Sequence, residues 1–223
     1  MTGAAVTAQS LQGARVVSTD STLVERSRRG DADAFCELVD RHKQPVYSFV
    51  ARSVRNPADA EDLAQDVFVQ AFAAIGRYRS EASFKTWVFR IAHNRVIDYA
   101  RRSRKRAAVT LEPANDPDKD DMHAAENFAG PATDDPMTEL CRDELSERVR
   151  RAVASLSDKL RAVVILYDFE GCSYEDIAAI VGCPVGTVKS RLFNARAELK
   201  RKLTPYVEAM MPGERRALGG EAP

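Results

Sequence analysis

The chain has 223 residues, 33 basic and 33 acidic, for a formal net charge of zero, and 44% of them are apolar. That length suits two small domains, and the charge total by itself argues against a nucleic-acid partner. No run of 18 apolar residues and no charged-then-apolar leader occurs, so neither membrane insertion nor secretion is expected and the chain is placed in the cytoplasm.

Residues 1–24 are small and polar without periodicity and read as a mobile N-terminal tail, with order beginning near Asp31. Asp31 is placed to cap a helix with Phe35, Leu38 and Val39 on one face, and Pro45 suits the first turn of a second helix bearing Val46, Phe49 and Val50. In "NPADAEDLAQDVFVQAF" the acids Asp59, Glu61 and Asp62 favour the start of a third helix, whose buried stripe holds Leu63, Val67 and Ala71 until Gly76 closes it. "RYRSEAS" is a polar loop. "SFKTWVFRIAHNRVIDYARRSRKR" then reads as a long helix with Phe84, Trp87, Val88 and Ile91 inward and a polar, basic far end. Residues 25–106 thus make a first helical domain.

Charge is unevenly spread. From Arg77 to Arg106 there are ten basic residues against Glu81 and Asp98, whereas from Ala107 to Leu140 nine acids face Lys119 alone. Residues 107–138, with Pro113, Pro117, Pro131 and Pro136 and little apolar periodicity, read as an acidic flexible linker. Residues 139–205 form a second helical domain. Its first helix turns Cys141, Leu145, Val149, Ala152 and Leu156 inward, and its second runs through "SDKLRAVVILYDFEG", capped by Ser157 and stopped by Gly171. Residues 206–223 read as a mobile C-terminal tail. The expected fold is all-α, two small domains on a flexible tether.

The sharpest pattern is "SYEDIAAIVGCPVGTVKSRLFNARAEL". Ser173 and Asp176 have capping-box spacing, Ile177, Ala178, Ile180 and Val181 give a short helix its buried side, and Gly182 permits the left-handed turn before Pro184. On a helical wheel Val188, Leu192, Ala195 and Leu199 then face inward. Gly186, Ser190, Phe193, Asn194 and Ala197 face outward, with Lys189, Arg191 and Arg196 flanking. This is a helix-turn-helix whose outer face suits a major groove: small and amide groups approach base edges, Phe193 meets a thymine methyl, and the cations hold phosphates.

These residues resemble the extracytoplasmic-function group of bacterial RNA polymerase sigma factors. "DAEDLAQDVFVQAF" with "FKTWVFRIAHNRVIDYARR" is similar to their region two, and "GCSYEDIAAIVGCPVGTVKSRLFNARAEL" to their region four. The resemblance implies a transcription initiation factor that binds core RNA polymerase and directs it to promoter DNA. Asp62, Gln65 and Asp66 match the clamp-binding "D-L-x-Q-E" run, with Asp in place of its Glu. Melting the minus-ten element would fall to Arg77, Ser80, Lys85, Trp87, Arg90, Asn94, Arg95 and Arg101, the loop 77–83 forming a pocket for a flipped base. Trp87, at helical spacing from Phe84 and Ile91, reads first as core and second as a wedge between base pairs. Minus-thirty-five reading would fall to Gly186, Thr187, Lys189, Ser190, Arg191, Phe193 and Asn194. Many relatives carry a basic residue where Asn194 stands, so readout there is expected to differ; Ser157, where the family often has proline, bears on helix entry. The acidic linker either solvates a tether or imitates nucleic acid inside the polymerase channels. An anti-sigma factor is the further partner implied.

A stand-alone helix-turn-helix regulator with a sensing first domain is the alternative, and would bind promoters tightly without polymerase. Catalysis is not expected. His93 with Asp98, or Cys36 with His42, lack an activated-nucleophile motif or a phosphate loop, and Cys36, Cys141, Cys172 and Cys183 read as buried small hydrophobes with no metal-ligand spacing to His42, His93 or His123. No cofactor, metal or small-molecule substrate is expected.

Overall fold

The computed structural model describes residues 19–109 and 136–210 apart from Arg55 and Ser80, without the side chains of 107–109, 136–143 and 207–210. All regular structure among the described residues is helical: α1 (Asp20–Arg28), α2 (Ala32–Ser53), α3 (Pro57–Ala74), α4 (Phe84–Val109), α5 (Pro136–Ala154), α6 (Asp158–Val164), α7 (Tyr174–Val181) and α8 (Val185–Met210), with a 3-10 turn at Ile75–Arg77 and a π-helical turn at Ile165–Phe169. None of these helices is long and apolar enough to cross a membrane.

Several expectations change. The supposed tail already holds α1, capped by Thr19, with Leu23 and Val24 fully buried. Leu23 and Val24 anchor this short polar helix in the core, and Asp20 adds to that by accepting from Arg41 at 3.0 Å and pairing with His42 at 2.7 Å on α2. Asp31 does cap α2, accepting from the Ala34 amide at 3.1 Å. Pro45 does not start a new helix; it lies inside α2. Leu38, His42, Val46, Phe49 and Val50 keep one buried phase through that position, and their burial outweighs the one backbone bond a proline removes. Helix α4 extends to Val109 and α5 begins at Pro136, each reaching into the expected linker, whose remainder lies outside the described residues. Helix α8 runs to Met210, past the expected tail boundary.

In the second domain Ala152 and Leu156 are buried as expected, but Leu145 is exposed. Cys141 lies outside the described side chains. The expected second helix is continuous only to Val164. It then widens into the π turn, where the Glu170 amide reaches the Ile165 carbonyl, and Gly171 leaves it at φ +63°. Ser157 stands at the α6 N-cap without a side-chain bond there.

Instead of two separate cores, buried residues of both domains form one apolar cluster, from Leu38, Phe49, Val88 and Phe89 into Ile165, Leu166, Ile177 and Val188. Leu156, Val164, Leu192 and Ala195 make a smaller cluster inside the second domain. Across the seam α4 packs on α7, and α2 packs on α5, α6 and the π turn. Two bundles this small each leave an apolar flank uncovered, and each flank covers the other.

Candidate nucleic-acid and polymerase interface

The helix-turn-helix is built locally. Ser173 Oγ accepts the Asp176 amide at 3.0 Å and donates to the Asp176 carboxylate at 2.6 Å, so the first turn of α7 is held from both ends. Those hydrogen bonds, first from Ser173 and then from Thr86, hold the Asp176 carboxyl below its ordinary value. Gly182 turns at φ +67°, its amide and that of Cys183 both reaching the Ala178 carbonyl at 3.0 and 3.2 Å. The Pro184 carbonyl then receives the Thr187 and Val188 amides at 2.9 and 3.2 Å, which sets the direction of α8.

Burial along α8 follows the wheel. Val188, Leu192 and Ala195 are at most 3% exposed, whereas Phe193 is 75% exposed, a large apolar ring with no intramolecular reason to face water. Gly186, Lys189, Ser190 and Asn194 are exposed beside it, and Thr187 is half-buried. The Ser190 hydroxyl donates to the Thr187 carbonyl at 3.0 Å, leaving its oxygen free to accept. Lys189 lies 5.5 Å over the Tyr174 ring, which itself stacks on Tyr167. Two flanking cations behave differently from the wheel. Arg191 is half-buried and points to Cys183 Sγ at 3.6 Å, and Arg196 is paired with Asp168 over the Tyr167 ring.

The eight expected minus-ten residues do not form one surface. Starting from Arg90, Arg101 and Asn94 fall within about 40° on α4, and all three are exposed. Trp87 sits at the edge of that arc, half-buried, with its ring centroid 5.0 Å from Tyr78 and 5.7 Å from Phe84. Its first role is to carry the 77–83 loop: Tyr78 is buried and its hydroxyl donates to the Ala82 carbonyl, while Ser83 Oγ accepts the Thr86 amide at 3.0 Å to open α4. Arg77 is exposed on the 3-10 turn, and Ser80 lies outside the described residues. Arg95 is half-buried, its Nε without a partner. Lys85 is turned away from this face altogether, donating to the Glu170 carbonyl of the second domain at 2.6 Å.

Asp62, Gln65 and Asp66 are exposed on α3, on the opposite side from buried Leu63, Val67 and Ala71. Their face continues into two residues that sequence reasoning missed, Val69 at 69% and Phe72 at 57% exposure. An open groove of about 540 Å³ adjoins them, lined by Phe35, Cys36, Val39, Phe68, Val69 and Phe72. Cys36 is thus an exposed wall of a groove rather than core, because position 36 falls outside the Phe35–Leu38 stripe of α2. The missed signal was phase. Val69 and Phe72 follow the 62–65–66 spacing, not that of the buried stripe.

The residues weighed for catalysis stand in different environments. His42 pairs with Asp20, while His93 Nδ1 is buried without a partner and burial, then the Arg191 charge, hold that ring below its ordinary value. Cys172 is buried and its thiol is pushed up to about 11, which leaves it unreactive.

Comparison with known proteins matches both halves of the chain. The description "Sigma-70 region 2" matches residues 38–106, and "Sigma-70, region 4" matches residues 146–199. The chain is 36% identical over 191 residues to the RNA polymerase sigma-H factor of Pseudomonas aeruginosa, covering 84% of this chain and 95% of that one. It is 38% identical over 194 residues to the ECF RNA polymerase sigma-E factor of Escherichia coli, covering 85% and 96%. Among solved structures, the sigma factor RpoE in complex with the anti-sigma factor NepR from Bartonella quintana is similar at TM-score 0.59 and 26% identity, over 76% of this chain and 96% of that one. CnrH in complex with the cytosolic domain of CnrY shares the fold at TM-score 0.60 and 24% identity, over 83% and 97%.

Proposed function

The chain belongs to the extracytoplasmic-function group of the sigma-70 family, and on that premise we propose how its residues divide the work of a promoter-directing RNA polymerase subunit. It is a transcription initiation factor that binds core polymerase and promoter DNA, not a stand-alone regulator. Asp62, Gln65 and Asp66, with Val69 and Phe72, dock on the polymerase clamp. The acids and amide supply directional bonds around an apolar centre, the layout of a binding patch with a polar rim.

Arg90, Asn94 and Arg101 hold the melted minus-ten strand along α4, with Arg77 and the 77–83 loop beside the flipped base. Lys85 and Arg95 join them once their present environments change. Phe193, Asn194 and Ser190 read the minus-thirty-five element from α8, Lys189 holds a phosphate, and Gly186 and Thr187 let the helix start approach the backbone. Arg191 positions the turn through Cys183. The acidic linker threads the polymerase, and an anti-sigma factor, the kind of partner seen with the Bartonella relative, restrains the chain in the cytoplasm.

The observation that carries the residue assignment is the exposure of Phe193 at the centre of a face that also presents Ser190 and Asn194. The test is run-off transcription from a promoter selected by the chain, with chain and core polymerase each alone and together. Specific transcripts are expected only from the pair; tight promoter binding by the chain alone contradicts the proposal.

A further inference from the structure

We infer that Tyr174 and Tyr167 are positioning residues for Lys189: stacked on one another beside α8, they fix its ammonium group where a promoter phosphate is held, without neutralising its charge. This role rests on the assignment of α8 to DNA, and it explains why one flanking cation of that helix is available to a phosphate while another is not.

Four side chains stand in layers along one flank of the reading helix. Lys189 Nζ lies 5.5 Å from the Tyr174 ring centroid, the Tyr174 and Tyr167 rings lie within 16° of parallel with centroids 4.9 Å apart, and the Arg196 guanidinium lies 5.1 Å from the Tyr167 centroid. A stacked pair has two outer faces. Each meets a cation, the charge that the negative face of an aromatic ring attracts. Lys189 and Arg196 are seven positions apart on α8, two turns or about 10.5 Å, so one edge of one helix supplies both ends of the stack. The rings come from elsewhere. Tyr174 is the first residue of α7, in the turn that Ser173 caps, and Tyr167 is the middle residue of the π turn. Both pack against the Leu156, Val164, Leu192 and Ala195 cluster, which holds their rings while leaving them half-buried.

The two ends of the stack differ in what else they meet. Arg196 is paired with Asp168, so its charge is already neutralised and it anchors the stack. Lys189 is exposed and, among the described residues, meets a ring and no carboxylate. An ion pair at that place would compete with an arriving phosphate. A ring face instead holds an ammonium through its quadrupole and leaves the N–H donors free to point outward. A lysine on its flexible four-carbon stem otherwise loses much rotamer freedom when it settles on a phosphate, and a cation already held over a ring has lost part of that freedom beforehand. The tyrosine pair therefore prepares Lys189 for DNA, while Arg196, on the same flank of the wheel, is spent on Asp168.

The test combines the full chain with core polymerase and titrates a promoter fragment at several salt concentrations, using Tyr174→Leu, Tyr174→Phe, Lys189→Ala and the double variant Tyr174→Leu with Lys189→Ala; thermal melting checks the fold. Tyr174→Leu is expected to weaken promoter binding about two- to fivefold. It should leave the salt slope as it is, since the lysine still reaches the phosphate, whereas Lys189→Ala lowers that slope by about one. Tyr174→Phe, which keeps the ring face, is expected to recover most of the loss. In the Lys189→Ala background, Tyr174→Leu is expected to change binding by less than about 1.5-fold. An equal loss in both backgrounds overturns the inference, because the ring then serves only the fold or touches DNA itself. So does a Tyr174→Phe loss as large as that of Tyr174→Leu, which assigns the contact to the hydroxyl. Nuclear magnetic resonance of the free wild-type chain decides without any tyrosine variant having to fold: the Lys189 Cε protons, identified by their loss in Lys189→Ala, are expected upfield of those of free lysine through the Tyr174 ring current, and unshifted protons overturn the stack. A failure of promoter binding in every sample, wild type included, counts against the sigma-factor reading instead, since the resonance reports on the stack without DNA or polymerase.

Discussion

Replacing Phe72 by alanine tests the docking face where the structure adds most to the sequence. A phenylalanine offers about 200 Å², and with 57% of Phe72 exposed about 110 Å² is available to leave water on docking. At about 25 cal/mol per Å² that area represents about 2.8 kcal/mol. Alanine keeps its Cβ and burial at an interface is incomplete, so the expected loss is about 2 kcal/mol, or about 30-fold in Kd. The ring also meets Phe35 edge-on with centroids 5.0 Å apart, a contact whose loss costs the fold about 1 kcal/mol. Thermal melting of the variant separates that cost from binding. The assay is equilibrium binding of the labelled chain to core polymerase, with Asp66→Asn alongside, where loss of an exposed charge is expected to weaken binding less and to do so in a salt-dependent way. A folded Phe72→Ala chain that binds core polymerase within twofold of wild type would refute the assignment of this face.

Three further outcomes are expected. Lys189→Ala should weaken promoter complexes irrespective of sequence and reduce the salt slope by about one, whereas Asn194→Ala should relax preference at one base pair by about 1–3 kcal/mol; salt-titrated binding of holoenzyme to a promoter library distinguishes them, and equal sequence-blind losses contradict the wheel. Gly182→Ala meets no atom within 4 Å but must adopt φ +67°, so the cost is conformational, about 1 kcal/mol, read as a drop of about 2–4 °C in the melting temperature of the chain. His93 is held below its ordinary 6.5 by burial and by Arg191, the charged group facing it from α8, so the unfolded chain takes up its proton more readily than the folded one. Stability is therefore full above about pH 6.5 and falls as pH drops through the folded-state value, and urea melts should lose that decline in His93→Gln.

What the sequence made legible was whatever a single helix decides. The Ser173–Asp176 cap, the Gly182 turn and the inward stripe of Val188, Leu192 and Ala195 depend on spacing within one segment, and the structure has each of them. Features that depend on a second segment were not legible. Helix α1 lacks a strong stripe of its own and is held by burial of Leu23 and Val24 against other helices and by Asp20 with Arg41 and His42, more than twenty positions away. Pro45 reads locally as a beginning, and only the buried neighbours on both sides of it make it an interior residue.

The same distinction separates the two surfaces proposed for DNA. On α8 the proposed reading face is one arc of one helix, so a wheel can outline it. The minus-ten set was carried over position by position, and position does not say which arc a side chain occupies: Arg90, Asn94 and Arg101 share one, while Lys85 reaches across to Glu170 and Arg95 is half-buried. Thr86 was not singled out at all, because its hydroxyl has meaning only beside Asp176, ninety residues later. A residue whose partner lies in another domain carries no periodic signature, and its chemistry becomes visible only when the two surfaces are seen together. The polar contacts across the seam, Thr86 with Asp176, Lys85 with the Glu170 carbonyl and Arg161 with the Ser53 carbonyl, are all of this kind, which is why a chain whose two halves each read clearly gave no sign of how they hold one another.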